Sequence, residues 1–279
     1  METLNPKQQA SSAVARALLS IPKAWPALSL LLVIASAPAL AQDAMRGLDM
    51  ASPDMTTAEM TRADVAALAQ AAGVQGANLA SKRLSGLDLS GLDLSHANLR
   101  AARLNHANLA GAKLDGAILD QVWALEVDLT GASLIGASLF GAQMQGAHVE
   151  RADFSGARVT ADMSGAHLAG ARFIGANCAA DEKNQSMGLM RAVFKSADLA
   201  GADFTGADLA RADFSFAKLG GANLTKASLR EADASGADLR GARFEGANVS
   251  GLDLAGASID ASATAFFAPA INLKRAFAQ

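Results

Sequence analysis

The chain has 279 residues, a formal net charge of −3, 25 Gly, no Tyr and a single Cys. This charge makes the chain mildly acidic but not a polyanion, and one Cys excludes an internal disulfide. The bias toward Ala, Leu, Gly and Asp is typical of a repeat architecture, so stability must come from the stacking of repeats.

The N-terminal segment has the three parts of a secretory signal peptide. Lys7, Arg16 and Lys23 precede an apolar run at 27–37, and a small-residue A-x-A motif ends at Ala41. This apolar run is short for a bilayer span. We therefore predict cleavage after Ala41 and a periplasmic or secreted protein without a membrane span, with a retained N-terminal anchor as the alternative.

The next segment, residues 42–75, contains the pattern of a short helix that would cover the first coil of a solenoid. Thr56 and Glu59 have capping-box spacing, and Gly73 suits the helix exit. The apolar positions of this predicted helix share one face: Ala58, Val65, Leu68 and Ala72.

From residue 76 the sequence repeats every five residues, most clearly in SADLAGADFTGADLARADFS at 196–215. A step of five turns a helix by about 140° and scatters the apolar positions around it. On a flat strand an odd step sends Leu199 and Phe204 to opposite faces. The chain must therefore bend within each unit, which predicts a coiled solenoid with short strand-like sides.

The central apolar residue of the unit recurs from Leu79 to Ile259 in about 35 copies. One residue is missing after Thr160, and the segment 181–191 interrupts the pattern. Ala124 occupies one of two weak centres, the other being Ala234.

These A-(D/N)-L-x-x units, which cover residues 76–260, resemble those of the pentapeptide repeat proteins. The resemblance implies an all-β solenoid, namely a right-handed, four-sided parallel β-helix with four units per coil. The predicted parts are a signal peptide at 1–41, an N-terminal segment with a capping helix at 42–75, the β-helix at 76–265 with an insertion at 181–191, and a C-terminal cap or tail at 266–279.

Four units per coil place residues of every fourth unit in outward ladders. One ladder brings His148 and His167 to about 5 Å from each other. With Asp128 and Asp198 beside them, they form a plausible ligand set for a divalent metal. The alternatives are a solvated polar ladder and a pH-sensitive His pair. We predict no other cofactor site, and Cys178 is expected to be a buried, unreactive thiol.

Two irregular places are candidate contacts for a protein partner. Trp123 stands at an outward position with Leu125 after it, which indicates either a local bulge that buries the indole or an exposed apolar patch. The insertion offers the second contact, because loops inserted on a solenoid often carry its function. Its apolar residues are Met187, Leu189 and Met190.

The C-terminal segment contains Ile271, Leu273 and Phe277, which are expected to fold over the last coil. This predicted cap is weaker than the N-terminal one, so a homodimer through the C-terminal end is an open alternative.

The sequence contains no nucleophile, zincin or phosphate-loop motif, which favours a non-enzymatic protein. We predict an exported scaffold that binds a protein partner in the periplasm or envelope and no nucleic acid. The family resemblance implies an alternative, because some members mimic duplex DNA and bind DNA gyrase. The signal peptide and the Arg residues that interrupt the acidic faces argue against that alternative.

Overall fold

The computed structural model describes residues 49–180 and 190–278. Its contacts divide the chain into two units, Met1–Asp49 and Met50–Gln279, and only Asp49 of the first is described. The predicted signal peptide therefore lies outside the described residues, as do Met187 and Leu189. No helix in the described part of the chain is long and apolar enough to cross a membrane.

The second unit is held together by parallel bridges between residues one coil apart. Asn78, for example, pairs with Asn98, and the N–H of Leu79 donates to the carbonyl of Asn98 at 2.7 Å. The period of 20 residues and four bridges per coil agree with the predicted four units per coil.

The outward residues form four ladders, which we name faces A to D. Face A carries Asn78, Asn98, Ile118, Ser138, Arg158, Asn177, Asp208, Ser228 and Asn248, and face B carries Arg83, Arg103, Trp123, Gln143, Asp162, Val193, Asp213, Asp233, Asp253 and Ile271. Face C carries Asp88, Asn108, Asp128, His148, His167, Asp198, Lys218, Asp238 and Ser258, and face D carries Asp93, Lys113, Ser133, Asp153, Arg172, Asp203, Asn223 and Arg243.

Each side of a coil has one bridging residue, so the sides are shorter than regular strands. Two residues of each five-residue unit form the corner, so too few remain for a longer strand. Two regular strands close the C-terminal end of the described chain, where β1 (Ser258–Ile259) pairs in parallel with β2 (Phe277–Ala278).

The interior is filled by the central apolar residue of each unit and by the Ala two positions earlier, nearly all of them buried. Phe154, Phe173 and Phe204 stack with ring centroids 4.8 Å apart, which is the spacing of the coils. Phe194 and Phe214 form a second stack at 5.1 Å. The core is therefore a set of ladders of like side chains, as the repeat predicts.

The two breaks in the repeat are absorbed without disturbing the ladders. Gln143 pairs with Asp162 across a coil one residue short, and Asp162 pairs with Val193 across the insertion. The base of the insertion is closed by the N–H of Ala192, which donates to the carbonyl of Cys178 at 3.2 Å.

The N-terminal cap consists of α1 (Pro53–Thr56), α2 (Arg62–Ala72) and a short 3-10 turn. The capping box that begins α2 is formed by Thr61 and Asp64, so the predicted box of Thr56 and Glu59 is wrong. Glu59 is engaged elsewhere, because its N–H donates to the carbonyl of Arg83 at 2.9 Å and its carboxylate pairs with Lys82 at 3.2 Å.

The cap protects the lower edge of the first coil. The Arg62 guanidinium donates to the carbonyl oxygens of Asp88 and Ser90, both at 2.7 Å. Val65 is fully buried in the core, whereas Leu68, predicted on the same face, is 41% exposed. Val65, Ala69 and Ala72 share the helix face that packs against the core, and Leu68 lies off that face.

The C-terminal cap contains two Phe residues in addition to the segment that the sequence predicts. Phe267 is fully buried, with its ring 5.0 Å from that of Phe244, and Phe266 packs beside both. Of the three predicted residues, Leu273 packs against the core. The backbones of Ile271 and Phe277 pair with the last coil, so the segment folds over it as predicted, but their side chains are 50% and 61% exposed. Both continue the outward ladders, where side chains point away from the core.

Candidate functional site

Face C brings the two predicted imidazoles together. The rings of His148 and His167 are parallel within 8°, with centroids 4.8 Å apart. Asp128 lies one rung below this pair and Asp198 one rung above. The four residues therefore occupy the ladder order that the sequence predicts.

The arrangement of the His pair does not converge on a single point. The lone pairs of an imidazole lie in its ring plane, so stacked parallel rings direct them side by side instead of toward one ion. His148 Nδ1 is 3.9 Å from a carboxylate oxygen of Glu150. Within residues 49–180 and 190–278, no group of three or more His, Cys, Asp or Glu side chains is placed to hold a metal ion.

Cys178 is the only thiol of the chain, and it lies wholly inside the rod. Burial raises the pKa of this thiol far above its usual range, and the nearby Asp208 carboxylate raises the pKa further. Because the thiolate is the reactive species, this residue is not available as a nucleophile.

Trp123 lies in regular register on face B. Its neighbours in the ladder are Arg103 and Gln143, and the N–H of Ala124 donates to the carbonyl of Gln143 at 2.8 Å. The predicted bulge is therefore absent. The indole and the side chain of Leu125 are both half-buried, so neither is a fully exposed apolar patch.

Met190 reaches the corner that leads into this part of face B. Its terminal methyl lies 3.2 Å from the point where a Cβ on Gly141 would stand, beside the side chain of Gln121. Gln121 and Gly141 each lie two residues before a face B residue, Trp123 and Gln143. The structure thus places Met190 at the corner before Trp123, and Leu125 follows Trp123 on its other side.

The same corner carries two features that sequence reasoning missed. Thr160 is 3% exposed, and its hydroxyl has no hydrogen-bond partner among the described residues. Phe140 lies at this corner with the Arg158 guanidinium 4.6 Å from its ring centroid. The sequence indicates the burial of Thr160 through the residue that is missing after it, because a shortened corner turns the Thr160 side chain toward the interior.

Phe216 is a further aromatic residue that the repeat analysis passed over. It is 63% exposed and has a left-handed backbone, with φ of 59°. The signal was present in the sequence, since most units place Gly or another small or polar residue at this corner position.

Charge is separated along face B. Arg83 and Arg103 occupy its lower end, and the carboxylates of Asp213, Asp233 and Asp253 stack at its upper end. Arg83 is paired with Asp54 at 2.8 Å. Arg103 has no carboxylate beside it in the described part of the chain, so this part of face B is open to an acidic group from outside.

The carboxylates at the upper end are only partly compensated. A guanidinium nitrogen of Arg191 lies 3.3 Å from Asp213, and the Asn272 amide donates to Asp253 at 2.8 Å. Asp233 accepts a hydrogen bond from the N–H of Ser235 at 2.8 Å, and no cation pairs with it among the described residues.

Comparisons with known proteins identify the repeat. The sequence model of the family Pentapeptide repeats matches eight copies, over residues 83–121, 126–159, 189–225 and 222–259. Comparison with curated proteins gives no match.

Several solved structures are similar to the chain. HetL, a pentapeptide repeat protein involved in heterocyst differentiation regulation from the cyanobacterium Nostoc sp. strain PCC 7120, is 29% identical, with 71% of this chain and 97% of that chain covered and a TM-score of 0.41. QnrB1, a plasmid-mediated fluoroquinolone resistance protein, is 19% identical, with 60% and 79% covered and a TM-score of 0.52. A pentapeptide repeat protein of the Arabidopsis thaliana thylakoid lumen is 30% identical, with 45% and 70% covered and a TM-score of 0.18.

Pentapeptide repeat proteins form right-handed quadrilateral β-helices, and the four ladders with a 20-residue period have the repeat of that architecture. The eight matched copies span more than half of the sequence. The chain therefore belongs to the pentapeptide repeat family.

Proposed function

We propose that the protein is an exported, non-enzymatic scaffold that binds a protein partner through face B around Trp123. Pentapeptide repeat proteins are generally structural or interaction proteins. The observation that carries the proposal is that Trp123 lies one rung above Arg103, which has no carboxylate beside it among the described residues, with Met190 at the corner before Trp123 and Leu125 after it. Aromatic and Arg residues are enriched among the residues that dominate protein interfaces.

The rod suits this role because its binding surface is already ordered. Continuous ladders of backbone hydrogen bonds hold each face B residue at a fixed spacing from the next. A partner that binds such a surface pays little to order it, so more of the contact energy is available for affinity.

Export is part of the proposal and rests on the N-terminal sequence. The basic residues, the apolar run and the A-x-A motif favour cleavage after Ala41 and delivery to the periplasm or the medium. Fractionation of the expressing cell, followed by N-terminal sequencing of the recovered protein, tests this. A cytosolic protein that still begins at Met1 would contradict it.

Affinity capture from the cell envelope tests the scaffold. The full sequence is expressed with an affinity tag, beside a Trp123→Ala variant and a Phe216→Ala control that removes an exposed aromatic residue elsewhere on the rod. We expect the parent and Phe216→Ala to recover the same partner and Trp123→Ala to lose it. Equal recovery by all three proteins would show that the contact does not depend on Trp123.

Binding to a topoisomerase is a second candidate, favoured by the stack of Asp213, Asp233 and Asp253. A DNA mimic needs a sustained negative ladder to imitate phosphates. Face B provides three consecutive carboxylates, and its lower end is basic. Inhibition of purified DNA gyrase supercoiling by the protein would support this candidate. Loss of that inhibition in an Asp233→Asn variant would locate the contact at the stacked carboxylates.

Weak divalent-metal binding by the stacked imidazoles, with Asp128 and Asp198, is a third candidate. Its support is the 4.8 Å approach of His148 and His167. Titration calorimetry with zinc, beside a His148→Ala, His167→Ala variant, tests it, and identical isotherms for the two proteins would end it. A homodimer through the C-terminal end also stays a prediction, supported by the exposed Phe277.

A further inference from the structure

Face B differs from the other three faces in the way its charges are arranged. On face D, acid and base alternate and pair within the rod, as in Asp93 with Lys113 and Asp153 with Arg172. Face A carries few charges, and face C is mostly acidic. Face B alone separates a basic lower end from an acidic upper end, with Trp123 and Val193 between them.

A face with its charges separated in this way is complementary to the same face of a second copy in antiparallel orientation. A two-fold axis that crosses the rods between the levels of Gln143 and Asp162 reverses the order of the rungs. It places Arg103 opposite Asp213, Trp123 opposite Val193, Arg83 opposite Asp233, and Gln143 opposite Asp162. Each of these pairs occurs twice, because a two-fold interface is the same patch on both copies. Arg83 and Asp213 also have partners within their own copy, Asp54 at 2.8 Å and Arg191 at 3.3 Å, so Arg103 is the group that gains its first carboxylate.

The neighbouring alignments on the upper side match fewer rungs of the ladder. A shift of the axis by half a rung upward brings Asp162 opposite itself, and a full rung sets Trp123 against Asp233. A parallel alignment sets each charge against its own kind, which costs free energy. The alignment between Gln143 and Asp162 satisfies both the charged and the apolar rungs.

We infer that the protein forms an antiparallel homodimer through face B, in which Arg103 of each copy pairs with Asp213 of the other. The inference rests on the proposed function, because it names a second copy of the chain as the partner of the same face. Eight rungs cover about 34 Å, so the contact buries of the order of 500 Å² on each copy. That area lies at the lower end of specific interfaces and predicts a reversible dimer.

Charge reversal within one chain tests the pairing. The purified protein is studied by sedimentation velocity over a concentration series, beside Arg103→Asp, Asp213→Arg and the double variant. Each single change sets like charges against each other twice, and we expect the dimer dissociation constant to rise at least about tenfold. The double variant restores both pairs with reversed sign, so we expect the dimer to return.

Arg243→Asp, on face D, is the matched control for a reversed charge, and we expect it to dimerise like the parent. Thermal unfolding of every variant shows whether a loss of dimer reflects a loss of fold. Sodium chloride should weaken the parent dimer, because the ion pairs lie at the surface.

Two results would overturn the dimer. One is a parent protein that stays monomeric at every concentration, and the other is a double variant that dimerises no better than the singles. Neither result touches the scaffold proposal, since envelope capture that depends on Trp123 would then point to a different partner. If capture recovers only the protein itself and the double variant restores the dimer, the partner is the second copy.

Discussion

The size of the second corner residue of a unit affects which residue can occupy the same corner one coil above. The second corner residue of most units has a positive φ, and where it is not Gly its side chain leans onto the corner one coil above. His96 leans over Gly116 in this way, and the ring of Phe216 leans over Gly236. Gly at the next corner makes room for these two rings, whereas Arg211 has Glu231 at the next corner and forms an ion pair with it at 2.7 Å.

Gly236→Ala is expected to be more destabilising than Gly156→Ala. A Cβ on Gly236 would lie 2.6 Å from the Phe216 ring, whereas one on Gly156 meets nothing within 4 Å. Gly156→Ala therefore costs only the left-handed backbone strain of about 1 kcal/mol, and displacement of the ring adds roughly another 1 kcal/mol at Gly236. Urea unfolding measures both free energies.

The double variant Gly236→Ala, Phe216→Ala separates the two causes. Removal of the ring should bring the cost of the Gly236 substitution down to that of Gly156→Ala. Equal free energies for the two single Gly variants would show that the ring moves away without cost.

At the scale of elements, the two caps carry what the repeat cannot provide for itself. The first coil has no coil below it, and the cap supplies the missing donors: the N–H of Glu59 to Arg83 and the guanidinium of Arg62 to Asp88 and Ser90. At the other end, β2 supplies a partner for β1. Unpaired backbone N–H and C=O groups at either end would be able to pair with another chain and promote aggregation.

Arg62→Lys should loosen the N-terminal cap while leaving the rod folded. A single ammonium cannot reproduce the two parallel N–H donations of the guanidinium, so roughly 1 kcal/mol of local stability is lost. Hydrogen exchange of amides in residues 62–90 measures this change. Unchanged exchange there would show that the two carbonyl groups are equally well satisfied by water.

The Asp64 carboxylate makes the cap sensitive to acid. Hydrogen bonds from the backbone N–H and the hydroxyl of Thr61 hold its pKa below the usual range. A pKa that is lowered by folding contributes stability above the unfolded value, near pH 4, and this contribution is lost as pH falls through the folded pKa. We therefore expect the acid loss of helical circular dichroism to be shallower in Asp64→Asn than in the parent.

Much of the element-scale description could be predicted from the sequence, and the failures have physical causes. The order of the face B residues from Arg83 to Asp253 follows from counting units, because a five-residue bend leaves one geometry. The prediction of the capping box was wrong because Thr56 and Thr61 both carry a hydroxyl that could cap the helix. Only the contacts of Glu59 with the first coil decide between them. The outward orientation of the Ile271 and Phe277 side chains was not predicted, because hydrophobicity alone does not show which side of a ladder a residue occupies.

At the largest scale, that of the whole repeat unit from Met50, the five-residue repeat fixes the architecture, and the candidate functional residues are those that depart from it. Nearly every Leu, Ala and Gly is explained by building the rod, so composition carries little information on the partner. The functional signal lies in residues the repeat does not need, such as Trp123, Arg103 and Phe216. Which of these lie on the same face depends on the register, and Met190 reaches the corner of Gln121 and Gly141, before Trp123.

Deletion of residues 219–238 should shorten the rod by one coil and preserve every face. Lys218 would then precede Leu239, which keeps the five-residue register. Spin labels on cysteines placed at Arg103 and Asp253 lie seven rungs apart, and the deletion should reduce their separation by about 5 Å, from about 34 Å. The native Cys178 is buried and leaves the labelling selective.

Deletion of a single unit, residues 219–223, is the matched control. It should turn the upper part of the rod by one face relative to the lower part, so that Asp253 leaves the ladder of Arg103. Because each coil contacts only its neighbours, both deletions should still unfold cooperatively. A pair of label distances that did not distinguish the two deletions would show that the coils do not stack independently. The placement of the charged residues of face B in one ladder would then depend on long-range packing instead of on the number of residues between them.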